Sequence, residues 1–155
     1  MGTTQIIEKS LRFTPKFDKN GLIPAIAQDA RTGQVLMAAY MNRRALDLTI
    51  QTGCAVYFSR KRRKLWKKGE ESGHIQKVEQ ILIDCDQDCL VLKVTVKGGQ
   101  CHAGYQSCFY RALKKGSSIV KMAYAKKLKF IAKKAYNPEK TYKKGKYRRR
   151  GRVSA

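Results

Sequence analysis

Negative charge is scarce in this chain: its 155 residues carry 11 Asp and Glu against 34 Lys and Arg, a formal net charge of +23. Such an imbalance calls for an anionic partner, an anionic substrate or a basic tail. Long apolar runs are missing too. No window approaches the ~18 apolar residues of a transmembrane helix, which excludes that class of membrane protein. Met1–Ser10 lacks the apolar stretch of a secretory signal, and Ile6 stands where a myristoylation pattern needs Ser or Thr. A cytoplasmic protein is expected, and its five cysteines are not expected to form a disulfide framework. In that setting, cysteines at defined spacings read first as metal ligands or catalytic groups. Several signatures are absent as well: there is no HExxH, no GxSxG, no P-loop and no HxE…PCxxC.

What is present is enough apolar material, 43% hydrophobic and 9% aromatic, for one domain with about forty residues to spare. The charge is unevenly spread. Residues 1–111 hold 18 basic and 10 acidic side chains, whereas 112–155 hold 16 basic ones and a single acid, Glu139. The reading is therefore an N-terminal arm (1–16), a folded domain (17–116) and a basic extension (117–155), partly helical and then disordered. Ser117–Tyr136 is predicted to be a basic helix, with Ser117 or Ser118 as cap and Asn137-Pro138 as stop. From Tyr142 to Arg152 the chain reads YKKGKYRRRGR, which cannot bury enough surface to offset the entropy of ordering. Removing the extension is expected to leave turnover largely unchanged.

Within the folded domain, Leu22–Gln28 and Val35–Tyr40 flank the turn residues Ala30–Gly33 and predict a β-hairpin. Asn42 can cap a helix over Arg43–Gln51, with Ala45, Leu46 and Ile50 on one face and Gly53 as stop. Ala55–Ser59, Gln76–Cys85 and Leu90–Val96 read as strands, and the charged stretch Lys61–Gly73 as a loop. The fold class is α+β: a small, β-rich domain of mostly antiparallel strands with one or two helices.

Two clusters carry chemistry. Asp84-Cys85-Asp86-Gln87-Asp88-Cys89 joins two strands. If extended, it places Asp84, Asp86 and Asp88 on one face and Cys85 on the other. Three adjacent carboxylates need a hard cation such as Mg²⁺, or solvation as an acidic turn. An EF-hand is excluded, because Cys89 and Thr95 occupy the positions that need Gly and Glu. Cys85, Cys101 and Cys108 match a zinc site with an open fourth position, or are buried free thiols. Soft thiolates and hard carboxylates would sort two different metals. His102, beside Cys101, suits a general base or a structural histidine. His74 is similarly ambiguous. Cys54 and Cys89 read as packing residues.

The segments FDKNGLIPAIAQDARTGQVLMAAYMN (17–42), YFSRKRRKLWKKGEESGHIQKV (57–78), DCDQD (84–88) and CHAGYQSCFYR (101–111) resemble the phosphoribosyl-AMP cyclohydrolases of histidine biosynthesis. The resemblance implies an intertwined homodimer with zinc and magnesium. It puts Cys85, Cys101 and Cys108 on the zinc ligands, shared across the dimer, and Asp84, Asp86 and Asp88 on the magnesium ligands. It also implies hydrolysis of the N1–C6 bond of the adenine ring, with water activated by zinc and a proton moved by His102. Arg60, Lys64 and Lys68 are expected to hold substrate phosphates, and Glu70, Ser72 and His74 complete the expected substrate-binding set. The basic extension cannot be the acidic, helical phosphoribosyl-ATP pyrophosphatase domain that some relatives carry. A competing reading is a nucleic-acid-binding protein, in which the tail's lysines and arginines meet phosphates and Tyr136, Tyr142 and Tyr147 stack on bases. That reading leaves DCDQD and the cysteines unused, so nonspecific nucleic-acid contact is kept only as an addition. No membrane partner is expected, because Ile119, Met122, Leu128, Phe130 and Ile131 form no clean stripe.

Overall fold

A computed structural model describes residues 7–113 and 128–142. The chain forms two compact units, Met1–Lys97 and Gly98–Ala155. The division therefore falls ahead of the change in charge near Arg111.

In the first unit, β1 (Ile23–Asp29) and β2 (Val35–Met41) form the expected antiparallel hairpin, with Ile23 opposite Met41. Ile23, Ala25, Ala27 and Asp29 alternate inward along β1, the period-2 pattern of a strand with one buried face. Asp29 closes the turn by accepting from the amides of Arg31 and Thr32, both at 2.9 Å. Burial alone would push its carboxyl up, but these donors outweigh burial and hold it below its ordinary range. Its stabilising contribution is therefore present above the ordinary carboxylate pKa and fades as pH falls through the lowered one.

Helix α1 (Arg43–Thr52) starts where Asn42 accepts from the Ala45 amide at 2.8 Å. It stops at Gly53, whose left-handed φ of 65° suits glycine. Its buried face is Ala45, Leu46 and Thr49; Ile50, expected on that face, is 54% exposed. Thr49 takes the place because its hydroxyl is satisfied. It donates to the Ala45 carbonyl at 2.8 Å and accepts from the Val56 amide at 3.0 Å, tying α1 to β3 (Val56–Ser59).

The stretch expected as a loop contains β4 (Lys64–Lys67), antiparallel to β3, with Tyr57 opposite Trp66 and their rings 5.0 Å apart. Lysines at both ends disguise this strand, whose inner residues Leu65 and Trp66 pack on the core. β5 (Gln76–Ile83) and β6 (Leu90–Val96) complete a sheet of order β2-β1-β6-β5. Its one parallel pair is β1 with β6, so the antiparallel expectation holds for the other two. Leu90, Leu92 and Val94 of β6 are fully buried beside Ile23, Leu36, Met41 and Leu46. One buried polar pair crosses this core, the Tyr57 hydroxyl donating to Gln76 Oε1 at 2.6 Å.

In the second unit, β7 (Arg111–Ala112) pairs with β8 (Lys129–Phe130), and α2 (Pro138–Thr141) follows Asn137. The helix expected over Ser117–Tyr136 lies partly outside the described residues. Its described part is not helical but forms β8 and an irregular segment up to Asn137. Strand pairing with β7 and hydrogen bonds from residues 135 and 136 to Gly104 override the local helix pattern. The YKKGKYRRRGR stretch lies outside the described residues from Lys143 onward. No helix among the described residues is long and apolar enough to cross a membrane.

Thr49 supplies the test of this packing. Thr49→Val keeps the volume but leaves the Val56 amide unpaired in the interior. It is expected to destabilise the protein by about 1–3 kcal/mol, measured by urea denaturation with an unchanged m-value.

Candidate metal centre and its loops

The strand β5 ends at Ile83 and β6 begins at Leu90, so the DCDQD motif is a turn and not extended backbone. This corrects the expected alternation of faces. Gln87 adopts φ 64°, unusual for a residue with a side chain, and is buried. Asp84 holds the turn together, its Oδ1 accepting from the amides of Asp88 at 2.9 Å and Cys89 at 3.0 Å. The result brings carboxylate oxygens of Asp84, Asp86 and Asp88 within 4.8 Å of one another. The charge of Asp86, followed by desolvation and Asp84, holds the exposed Asp88 carboxyl above its ordinary range, while Lys16 pulls it the other way. Cys85 is exposed on this turn. Cys89 is half-buried, and burial and then Asp84 and Asp88 push its thiol up. It stays protonated, in keeping with a packing role.

Gln87 is a residue that sequence reasoning missed. Its side chain accepts from the Thr14 amide at 2.7 Å and donates to the Arg12 carbonyl at 3.0 Å, and its carbonyl accepts from Lys16 N–H at 2.7 Å. The N-terminal arm is thus clipped to the acidic turn. Residues Ile7, Leu11, Arg12 and Phe13 face Asp84 and Cys85 across an open cleft of about 380 Å³. Nothing in a glutamine between aspartates signals such a clip.

Cys101, His102 and Cys108 lie on one loop of the second unit, Cys101 buried and the other two exposed. The loop turns tightly: Gly104 N–H donates to the Cys101 carbonyl at 3.0 Å, and the Cys101 amide to the Tyr105 carbonyl at 3.0 Å. Ala103 N–H approaches Cys101 Sγ at 3.5 Å. Tyr105 stacks on Tyr110 with ring centroids 3.7 Å apart. Tyr136 crosses this loop, and its phenol is held far above its ordinary range by burial, then by Tyr142 and by the nearby Cys101 and Cys108.

The expected substrate residues lie on the β3–β4 hairpin and the loop after it. Arg60 is exposed with its guanidinium 4.0 Å from the Tyr40 ring centroid, and Lys64 is exposed at the start of β4. Lys68 is buried and donates to the His74 carbonyl at 3.3 Å. Ser72 accepts from the His74 amide at 3.2 Å, and Glu70 is exposed. Gly69 lies so close to residues 74 and 75 that a Cβ would sit 2.5 Å from the His74 carbonyl carbon, which keeps this loop compact.

The donors are of two chemical kinds. Clustered carboxylate oxygens suit a hard cation such as Mg²⁺ in both kind and spacing. Thiols are the kind of donor zinc takes, and they stand apart from that cluster: Cys85 on the acidic turn of the first unit, Cys101 and Cys108 on one loop of the second. On the hairpin, the exposed cations of Arg60 and Lys64 are of the kind that pairs with anionic groups.

Comparison with known proteins narrows the class. The family model described as phosphoribosyl-AMP cyclohydrolase matches residues 37–110. A phosphoribosyl-AMP cyclohydrolase of Methanococcoides burtonii is 67% identical over 98 residues, covering 63% of this chain and 81% of the relative. One of Chlorobaculum tepidum is 56% identical over 119 residues, 77% and 87% of the two chains. One of Rhodopseudomonas palustris is 50% identical over 139 residues, 89% of each. The chain belongs to the phosphoribosyl-AMP cyclohydrolase family.

The acidic turn generates a test. Asp86→Asn removes the main like-charge repulsion on Asp88, so without divalent cations its Tm is expected to equal or exceed that of the parent. Added Mg²⁺ should raise the parent's Tm by binding only the folded form. That rise should shrink strongly in the variant, as read by calorimetry across a Mg²⁺ titration.

Proposed function

We propose that this chain hydrolyses the N1–C6 bond of the adenine ring of 1-(5-phosphoribosyl)-AMP, giving the formimino-imidazole carboxamide ribonucleotide in histidine biosynthesis. The observation that carries the reading is the 67% identity to a phosphoribosyl-AMP cyclohydrolase across 81% of that relative. It is supported by the chemistry of the two donor sets.

In this reading Cys85, Cys101 and Cys108 hold zinc. Zinc supplies Lewis acidity that makes a bound water acidic near neutral pH. His102, exposed beside Cys101, takes the proton that water loses as it adds to C6, and returns one to the departing N1. Asp84, Asp86 and Asp88 hold Mg²⁺ and so keep the acidic turn in one arrangement beside Cys85. Exposed Arg60 and Lys64 pair with the two substrate phosphates. Lys68, Glu70, Ser72 and His74 shape the loop that borders them, with Lys68 anchored on the His74 carbonyl. The working form is a cytoplasmic homodimer in which Cys85 of one protomer completes a zinc site with Cys101 and Cys108 of its partner.

Two measurements test this. Conversion of phosphoribosyl-AMP by the purified chain, followed by ultraviolet absorbance, is expected to be abolished by chelation and restored by zinc; no turnover under any metal condition would refute the activity. Cys85→Ala and Cys101→Ala proteins, each inactive alone, are expected to regain activity when refolded together. A random mixture makes about half of its dimers mixed, each with one intact site, so roughly a quarter of the parent activity should return. Mixed dimers without activity would sink the shared site while leaving the reaction itself intact.

A further inference from the structure

Tyr136 acts on one turn in three ways. Its ring covers Gly99, where an added Cβ would lie 2.7 Å from ring Cδ1. Its hydroxyl donates to the Cys101 carbonyl at 2.6 Å, across 35 residues of sequence. Its main-chain N–H and that of Ala135 donate to the Gly104 carbonyl at 3.0 and 2.6 Å. The Cys101 carbonyl also accepts from Gly104 N–H at 3.0 Å. Each end of the Cys101–Gly104 turn therefore presents a carbonyl with two donors: one from within the turn and the Tyr136 hydroxyl at Cys101, and the main-chain N–H groups of Ala135 and Tyr136 at Gly104. The fit is close. Gly104 has φ 94°, and a Cβ there would meet the Tyr136 carbonyl oxygen at 2.5 Å and Pro138 Cδ at 3.1 Å. Pro138 is fully buried, which fixes the exit of this strap.

We propose that Tyr136 is a positioning residue for Cys101: the strap 135–138 fixes the peptide plane after Cys101, hence the direction of its thiol, and so sets how tightly the loop holds zinc. The proposal rests on the zinc reading above and extends it to a segment outside the family-model match, which ends at residue 110. The physical reason is that a ligand's orientation is set by what its neighbouring groups bond to, and loss of such partners typically weakens metal binding about 10–100-fold. A carbonyl hydrogen-bonded on both sides cannot rotate without breaking one of those bonds, whereas a loop held from one side can. The inference also reverses the expectation that the extension is dispensable for turnover, because removing the extension takes the strap away.

Tyr136→Phe is the discriminating variant, since it keeps the ring on Gly99 and both main-chain bonds and removes only the hydroxyl. The full-length chain, Tyr136→Phe, Gly104→Ala and Cys101→Ser are loaded with zinc, and affinity is read by competition with a chromogenic chelator. Parallel samples carry Co²⁺, whose visible bands report thiolate geometry. Tyr136→Phe is expected to bind zinc roughly tenfold more weakly, with shifted Co²⁺ bands and a lowered kcat at nearly unchanged KM. Gly104→Ala should change in the same direction. A Tyr136→Phe protein with parental zinc affinity and an identical Co²⁺ spectrum would overturn the proposal and leave the strap a packing element. Zinc absent from the parent, or retained in full by Cys101→Ser, would overturn the zinc reading and the proposal with it, so the two failures are distinguishable.

Discussion

Asp84 accepts two backbone amides within its own turn, and the first unit depends on that interaction. The turn joins β5 to β6, and β6 is the strand that pairs with both β5 and β1. By closing on the amides of Asp88 and Cys89, one oxygen of Asp84 fixes where β6 begins, with Ile83 opposite Leu90. A shift of one residue would turn Leu90, Leu92 and Val94 out of the core. The same closure crowds three carboxylates together, so the constraint that sets strand register also creates a place where a cation is favourable. Structure and chemistry here share one cause. The Gln87 clip adds to it, because the φ of 64° that allows the turn also aims the glutamine at the N-terminal arm.

Most of the first unit was legible in the sequence because its signals are local. Ala30–Gly33 between apolar runs marked the hairpin, and Asn42 and Gly53 marked both ends of α1. Where the reading failed, a contact distant in sequence or a concealed hydrogen bond decided the outcome. Thr49 replaced Ile50 in the core because its hydroxyl found the Ala45 carbonyl and the Val56 amide, partners that no helical pattern reveals. β4 was hidden because Leu65 and Trp66 are framed by lysines, and charge in a strand only marks its exposed ends. The three aspartates do lie together, but not by the geometry expected. Alternation along an extended strand was expected, yet a tight turn gathers them.

The site residues divide in the same way. Residue type and spacing singled out the aspartates, the cysteines and His102, because few side chains can serve as metal donors or move protons. The hydrogen-bond partners around these candidates were not legible. Gln87 and Tyr136 act through hydrogen bonds that span 73 to 75 and 35 residues. No pattern in one sequence reports such pairings. Only the competing nucleic-acid reading gives Tyr136 a role, as a stacking group among lysines; the structure puts its ring over Gly99 and its hydroxyl on the Cys101 carbonyl.

That reassignment changes what the basic charge of the chain means. The extension was set apart by composition, but composition describes what faces solvent, and a strap needs only a few inward groups. Between Leu128 and Tyr142 the residues not exposed are Tyr136, Pro138, Thr141 and Tyr142, while the lysines at 129, 133, 134 and 140 are exposed. A segment whose charges are four lysines against one acid can therefore still be integral to a folded unit. Under the proposed function the solvent-facing lysines have a use of their own. A substrate with two phosphates is drawn toward a chain of net charge +23, and its encounter rate falls as salt screens the field beyond roughly 8 Å at physiological ionic strength. On the two proposals above, the strap's inward face would order a loop and its outward face would add to the field, so one short segment would serve both the geometry of the site and the approach of its substrate.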